Sequence, residues 1–431
     1  MQIEQLYQLY LQSLSVQTDT RQLKKGDIFF ALKGDNFNGN QFAKQALDSG
    51  ASYAVIDEAG YEIPGKTILT ENVLITLQQL AAYHRAQLNI PFIAITGSNG
   101  KTTTKELIHV VLSKKYRTST TVGNLNNHIG IPLTILRVPL DTEIAVIEMG
   151  ANHQQEIAGY CVYTNPTHGL ITNVGKAHLE GFGGEEGVRK GKGELFDHLR
   201  QLTHGFAFVN WDYEYLQEMS KGISGIIKYG EQDGAHVVGK ASRVDPFLEV
   251  SFTEGFGIPI IKTQLVGSYN VPNVLAAVTI GKNFNVPEND IRDAIEHYVP
   301  SNSRSQLIRK GTNTIILDAY NANPSSMSLA IENFARMEGE KILLLGAMAE
   351  LGTGSVSEHE QIIALIKKYT WKQVVLVGGD FGKINHPFLQ FTNSTEAAEW
   401  LKKQDFQGSA MLIKGSRSSK MEVLLKALEQ Q

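Results

Sequence analysis

One segment limits the folds open to this chain more than any other. It is Thr96-Gly97-Ser98-Asn99-Gly100-Lys101-Thr102-Thr103, between the apolar run Phe92–Ile95 and the stretch Thr102–Lys114. The run reads as a buried strand, and Leu107, Ile108, Val111 and Leu112 recur at helical spacing. Strand, glycine loop and helix in that order predict an α/β domain on a mostly parallel sheet. Glycines let backbone N–H groups converge on a phosphate, the helix N-terminus adds its dipole, and Lys101 adds a point charge. The Thr102 hydroxyl is placed to ligate Mg²⁺ on a nucleotide. The general nucleotide loop has glycine five residues before Gly100; Ile95 stands there, so this is a shortened G-x-x-G-K-T form. A plain glycine turn with a surface lysine would not need the flanking strand and helix.

The alternation continues on both sides. Ile144–Ile147 and Gly169–Thr172 read as further buried strands, and residues 226–266, with Phe247–Phe252, as an antiparallel patch on the same domain. Upstream, Ile28–Leu32, Ser52–Ile56 and Thr67–Leu69 read as strands of a small mixed unit, with a short helix over Gln41–Asp48. Leu74, Leu77, Leu80, Ala81 and Leu88 fall at helical spacing before Pro91 breaks the pattern. Downstream, Thr314–Leu317, Lys341–Leu345, Gln373–Val377 and Ala410–Ile413 are strands each followed by a helix, a doubly wound unit. Ser357-x-x-Glu360 carries a capping-box signature for one of those helices. At roughly 100–200 residues per domain, the 431 residues divide into 1–83, 84–299 and 300–431.

Composition excludes whole classes of function. Hydrophobic residues at 42% and charged residues at 19% fit a folded chain, and no apolar run suits a membrane span. The N-terminal stretch MQIEQLYQLYLQ lacks a signal-peptide pattern, and a single cysteine fits a reducing compartment, so a cytoplasmic location is expected. A net charge of −4 gives no general reason to bind nucleic acid.

A metal-bound triphosphate needs ligands beyond the loop. Glu148 closes the strand Ile144–Ile147, where a side chain can project into a ligand crevice; taken alone, such a glutamate is more often solvated. His178, in Asn173-Val174-Gly175-Lys176-Ala177-His178, can ligate a metal or serve a structural role. The run Gly181–Gly193 ends in Gly191-Lys192-Gly193-Glu194, either a phosphate contact or a solvated loop.

Together with GNLNNHIGIPLT (123–134), EMGANHQQEI (148–157), NVGKAHLEGFG (173–183), GSYNVPNVLAA (267–277), DAYNANPSSM (318–327), GAMAELG (346–352) and KGSRSSKME (414–422), the loop resembles the Mur ligases of peptidoglycan synthesis. Residues 19–43 are similar to that family's UDP-sugar-binding domain, so the resemblance covers almost the whole chain. It implies a small α/β UDP-substrate domain, a central P-loop ATPase domain with a mostly parallel sheet, and a C-terminal Rossmann-like domain. GNLNN and DAYNANPSSM resemble the members that join D-alanyl-D-alanine to a UDP-N-acetylmuramoyl-tripeptide. ATP and Mg²⁺ are then the expected cofactors, and a monomer is expected.

Residue by residue, the resemblance implies that Gly97, Ser98, Asn99, Gly100, Lys101, Thr102 and Thr103 hold the ATP phosphates. Thr102, Glu148 and His178 would surround Mg²⁺, and Lys192 matches the lysine that the family carbamylates to complete a second metal site. Asn270 and Asn273 match adenine contacts, while Arg304 and Asp318 would reach the nucleotide from the C-terminal domain. Asp19, Thr20, Arg21, Lys33 and Gly34 match the uridine-nucleotide site, and Asn126 and Asn127 the space between γ-phosphate and carboxylate. Two departures stand out: Ala347 where many relatives carry Asp, and Ser268-Tyr269-Asn270 in place of a His-Asn pair. Folylpolyglutamate synthetases share the loop, and a nucleotide-binding regulator could retain it; UDP-sugar binding and turnover separate these readings.

Overall fold

The computed structural model describes residues 2–13, 15–301 and 303–429. Among them the strands build three main sheets, one for each domain, plus a small hairpin of Lys33–Gly34 with Phe37–Asn38.

The first sheet is parallel, in the order Val16–Gln17, Ile28–Phe30, Tyr53–Ile56, Thr67–Leu69. Ile28–Phe30 is buried at every residue, as a continuous apolar strand covered on both faces must be. The helix expected over 41–48 is a 3₁₀ turn, Gly39–Phe42, running into an α-helix, Ala43–Asp48. Asn72 caps the helix Val73–Ala86 by accepting a hydrogen bond from the Ile75 N–H. A division after residue 83 would cut this helix, which carries the N-terminal core into that of the central domain: Leu77 and Leu80 share one apolar cluster with Ile131, Tyr160 and Phe196. At its end Arg85 is buried, donating to the carbonyls of Leu88, Thr164 and Asn165 at 2.6–3.0 Å and stacking over Phe92. Burial pushes its guanidinium down to about 10.

The central sheet runs Ile260–Lys262, Glu249–Glu254, Val237–Arg243, Gly225–Gly230, Phe206–Asn210, His168–Ile171, Phe92–Thr96, Ile144–Glu148, Thr118–Thr120. The antiparallel patch is continuous with the parallel strands, because Val237–Arg243 pairs parallel with Gly225–Gly230 and antiparallel with Glu249–Glu254. Phe92–Thr96 lies between His168–Ile171 and Ile144–Glu148, all parallel. Their C-terminal ends therefore open onto one crevice, the place where open α/β sheets bind ligands.

The run ending at Gly193 is not a solvated loop. Residues Glu185–Gln201 form an α-helix in which Lys192 is buried. Its glycines permit close packing: a Cβ at Gly187 would lie 1.9 Å from the Phe182 carbonyl oxygen, and one at Gly191 2.4 Å from the Phe182 ring. Composition points to a loop here, but contact with Phe182 outweighs the weak helix propensity of glycine.

The third sheet has the order Gln306–Lys310, Asn313–Asp318, Ser409–Lys414, Glu340–Gly346, Gln373–Val377, Leu389–Phe391. It contains the four expected strands and adds two half-buried edge strands, the first of them antiparallel. Ser357 is not a cap. It lies inside the helix Ser355–Ile366, which begins from Gly354 without a side-chain cap. Among the described residues no helix is long and apolar enough to cross a membrane.

Candidate active site

The glycine loop is held by the neighbouring strand end. Gly97 has φ +142°, and a Cβ there would lie 2.0 Å from Thr172 Oγ1, so only glycine allows the approach. Thr172 Oγ1 donates to the Asn99 carbonyl at 2.6 Å, and the Asn99 N–H donates to Asn173 Oδ1 at 3.0 Å. Ser98 Oγ exchanges hydrogen bonds with the backbone of Gly175. Gly100, with φ +81°, turns the chain into the helix Lys101–Leu112. Lys101 Nζ folds back onto the carbonyls of Gly97 and Ser98 at 2.7 and 3.3 Å. Burial lowers its pKa; the Glu148 charge opposes that shift and Arg304 adds to it. Thr103 lies half-buried on the same first turn.

Glu148 is 1% exposed and held on three sides. Thr102 Oγ1 donates to its Oε2 at 2.8 Å, Asn126 Nδ2 to its Oε1 at 2.8 Å, and its backbone N–H donates to Thr121 Oγ1 at 2.9 Å. The Thr121 carbonyl accepts from the buried Lys105 Nζ at 2.7 Å. Asn127 is turned away: its Oδ1 accepts from the N–H groups of Ile129 and Gly130 and caps the helix Gly130–Leu136.

Lys192 Nζ donates to the Ala151 carbonyl at 3.0 Å and stands 4.9 Å from the Phe182 ring centroid. Burial, helped by the Lys101 charge, holds it well below the usual lysine range. Asn270 and Asn273 are buried and joined at 2.8 Å, and Asn273 Oδ1 accepts from Thr104 in the helix behind the loop.

The C-terminal domain meets this assembly directly. Arg304 stacks on the Tyr320 ring at 3.6 Å, and its Nε is buried with no hydrogen-bond partner. Asp318 is bound to Lys414 Nζ at 2.5 Å and accepts from the Ser305 N–H. Asn323 Nδ2 donates to Asn99 Oδ1 at 2.8 Å. Ser325 Oγ accepts from the Lys176 N–H at 3.1 Å, and Lys176 Nζ pairs with Glu358 at 2.7 Å. His178 Nδ1 faces the Glu350 carboxylate. Asn323, Ser325 and Glu350 lie within the DAYNANPSSM and GAMAELG segments but carry no assigned role there, Glu358 lies in no motif, and Asn323-Pro324-Ser325-Ser326 spells the cap of the helix Pro324–Ala335.

The donor set suits Mg²⁺. A buried carboxylate beside a hydroxyl gives hard oxygen ligands, and Mg²⁺ commonly takes one or two carboxylates while keeping water and phosphate oxygens. In keeping with that sparse set, no group of three or more His, Cys, Asp or Glu among the described residues could hold a metal by itself.

The residues expected at the uridine site fall into two sets. Asp19 binds the Arg21 guanidinium at 2.7 Å and caps the 3₁₀ turn Thr20–Gln22. Lys33 pairs with Asp57 at 3.0 Å and Glu58 at 3.3 Å, beside Gly34, where a side chain would meet open space. Of the two departures, Ala347 is 7% exposed in apolar packing, where an added Cβ at Gly379 would lie 2.3 Å from it. Tyr269 donates to or accepts from Ser305 Oγ at 2.9 Å, tying the two domains together.

Family models match most of the chain: the Mur ligase family catalytic domain over residues 15–88, the Mur ligase middle domain over 95–281, and the Mur ligase glutamate ligase domain over 303–417. The chain belongs to the Mur ligase family. Among its Mur ligase relatives, a UDP-N-acetylmuramoyl-tripeptide–D-alanyl-D-alanine ligase from Bacillus subtilis is 34% identical, covering 96% of this chain and 92% of the relative. A crystal structure of MurF from Acinetobacter baumannii superposes with a TM-score of 0.89 at 30% identity, covering 100% and 98% of the two chains. MurF from Thermotoga maritima in complex with ADP gives 0.87 at 26% identity, covering 98% of each. The three-domain α/β architecture is therefore that of a Mur ligase.

Proposed function

We propose that the chain is an ATP-dependent ligase joining D-alanyl-D-alanine to a UDP-N-acetylmuramoyl-tripeptide, a cytoplasmic step of peptidoglycan precursor synthesis carried out by a monomer. The observation that carries the reading is the glycine loop that opens the helix Lys101–Leu112, with Thr102 bound to the buried Glu148 and the C-terminal domain bonded to the loop through Asn323 and Asn99. A glycine turn at a helix N-terminus with a lysine on its first turn suits a nucleotide phosphate. The relatives named for this reaction, matched over nearly the full chain, support the substrate pair.

The roles follow. Gly97–Thr103 cradle the phosphates; Asn270 and Asn273 meet the base; Arg304 and Asp318 reach the nucleotide from the third domain. Thr102, Glu148, His178 and a carbamylated Lys192 would hold Mg²⁺, which when bound neutralises charge on the phosphates. A carboxylate is a poor electrophile, so the tripeptide must first be activated as an acyl phosphate, and the amine of D-alanyl-D-alanine then displaces phosphate. Lys101 and His178 would stabilise the charge that builds on oxygen, Asn126 lines the space between γ-phosphate and carboxylate, and the domains hold the reactants together. Asp19, Thr20, Arg21, Lys33 and Gly34 take the uridine nucleotide; Asn127 serves the space between γ-phosphate and carboxylate by fixing the loop that carries Asn126.

Phosphate release tests this. ATP hydrolysis is expected only when a UDP-muramoyl-tripeptide and D-alanyl-D-alanine are supplied together. Brisk hydrolysis by the protein alone, or equal use of glutamate as the amine, overturns the proposal.

A further inference from the structure

Lys105 is 1% exposed, enclosed almost as completely as Leu107 and Ile108 on the same helix, and nothing in the reaction described above uses it. Taking an ammonium out of water is costly, and replacing a buried ion pair by well-packed apolar residues is often neutral or stabilising. Its burial therefore calls for a reason other than stability. Lys105 Nζ has two partners, the Glu106 carboxylate at 2.9 Å and the Thr121 carbonyl at 2.7 Å. The Glu106 side chain is 30% exposed and reaches water by itself. The Thr121 carbonyl does not, because Thr121 is fully buried where the edge strand Thr118–Thr120 ends. Thr121 also holds its neighbours: its N–H donates to the Val146 carbonyl at 3.2 Å, and its Oγ1 accepts from the Glu148 N–H at 2.9 Å. The chain then leaves the core, with Val122 63% exposed and Gly123 at φ +59°. It returns at Asn126, whose Nδ2 donates to Glu148 Oε1 and whose carbonyl accepts from the Gly150 N–H at 2.7 Å. The loop is thus pinned at Thr121 and at Asn126.

We propose that Lys105 is a positioning residue for ligation: from the second turn of the helix Lys101–Leu112 it fixes Thr121, and through Thr121 it sets where Glu148 and Asn126 stand relative to the bound phosphates. Lys101 and Lys105 are one helical turn apart, so the helix that meets the nucleotide at its start also holds the base of the Asn126 loop. That this loop serves the tripeptide carboxylate rests on the ligase reading; the tie from helix to loop does not. Without the tie the glycine loop keeps its own supports, Thr172 and Asn173, while Glu148 and Asn126 lose one of theirs. A misplacement of about 1 Å can cost on the order of a hundredfold in rate. The loss therefore falls on turnover and spares nucleotide binding.

Two variants of the full-length protein break the tie at different links. Lys105→Met removes the ammonium at similar bulk; Thr121→Val removes the hydroxyl that accepts from Glu148 and keeps the lysine. Each is assayed for ligation, for ADP affinity by calorimetry without Mg²⁺, and for amide exchange by mass spectrometry without any UDP-substrate. In both, kcat should fall about ten- to a hundredfold while ADP affinity stays that of the wild type. Exchange should quicken over residues 121–128 and 148–151 and stay unchanged over Phe92–Thr96. Lys105→Arg, which can still donate to both partners, should recover part of kcat. The double variant should lose little more than either single one, because both changes break the same tie. A lysine that only stabilises the fold gives a different result: a lower melting temperature, faster exchange across Phe92–Thr96 as well, and an unchanged kcat. That result overturns the proposal, as does ADP affinity falling as far as kcat, or losses that multiply in the double variant. Both links are required, so if one variant fails to fold the other still decides. Absence of ligation in the wild type would sink the ligase reading, whereas exchange and ADP affinity would still report on the tie.

Discussion

An ammonium group is poorly placed at Lys192, enclosed in a helix interior with one carbonyl for a partner and the Lys101 charge nearby. Burial disfavours the ammonium, and a neutral amine there would attack CO₂, losing a proton to leave a carbamate whose single negative charge is shared by two oxygens. Lys192→Ala should therefore lose most activity, and acetate should restore part of it by occupying the vacated space. Lys192→Arg should fail, because guanidinium stays charged and forms no carbamate. Near-full activity of Lys192→Arg, or indifference to CO₂ depletion and added carboxylates, would make Lys192 a plain cationic contact. At this scale the sequence was most legible where chemistry and backbone geometry coincide. Gly97, Gly100 and Lys101 announce a phosphate cradle because few other purposes need glycine and lysine at that spacing. Glu350 stands in the GAMAELG segment, yet what it faces, His178, lies in another domain, and no local pattern records a contact across an interface.

Among the elements, the helix Glu185–Gln201 is where local pattern and structure part company. Gly183, Gly184, Gly187, Gly191 and Gly193 favour a loop by propensity, yet Gly187 and Gly191 are there because Phe182 fills the space their side chains would need. Gly193 is different. A Cβ there would meet only the flexible end of Met219, at 3.3 Å. Gly191→Ala should push the helix off Phe182, displace Lys192, lower the melting temperature and reduce activity. Gly193→Ala should be neutral or add about 0.5–1 kcal/mol, the usual gain from replacing a helical glycine. Equal melting temperatures for the two variants would show that the Phe182 contact does not set the helix position. The edge strands Gln306–Lys310 and Leu389–Phe391 were hidden for a related reason: half-buried edges lack the continuous apolar run that marks the central strands.

Over the whole molecule, the apolar clusters and the sheets do not divide alike. Leu6, Tyr7, Ile28 and Phe30 of the first sheet's domain belong to one cluster with Phe92, Ile147 and Phe196 of the central domain, whereas the third domain has clusters largely its own. The Arg85 cage pins the connection between the first two. They should unfold together and move as one body, leaving the C-terminal domain as the part that swings. Native-state hydrogen exchange should give the slowest amides of Ile28–Phe30 and Phe92–Thr96 one common opening free energy, distinct from that of Glu340–Gly346. Independent opening of the first sheet would refute the shared body.

The Lys176–Glu358 pair has a consequence for how such a chain can change over generations. Each partner lies on a different domain, and Lys176 stands only 3.9 Å from Glu185 of its own domain as well as 2.7 Å from Glu358. A C-terminal domain transplanted from a relative would fold on its own sheet and still seat badly against the 176–180 loop, unless the residues at 176 and 358 were exchanged as a matched set. The two halves of the catalytic cleft are therefore not interchangeable parts. They are bound to drift in step, with a substitution on one side of the boundary restricting what the other side can accept.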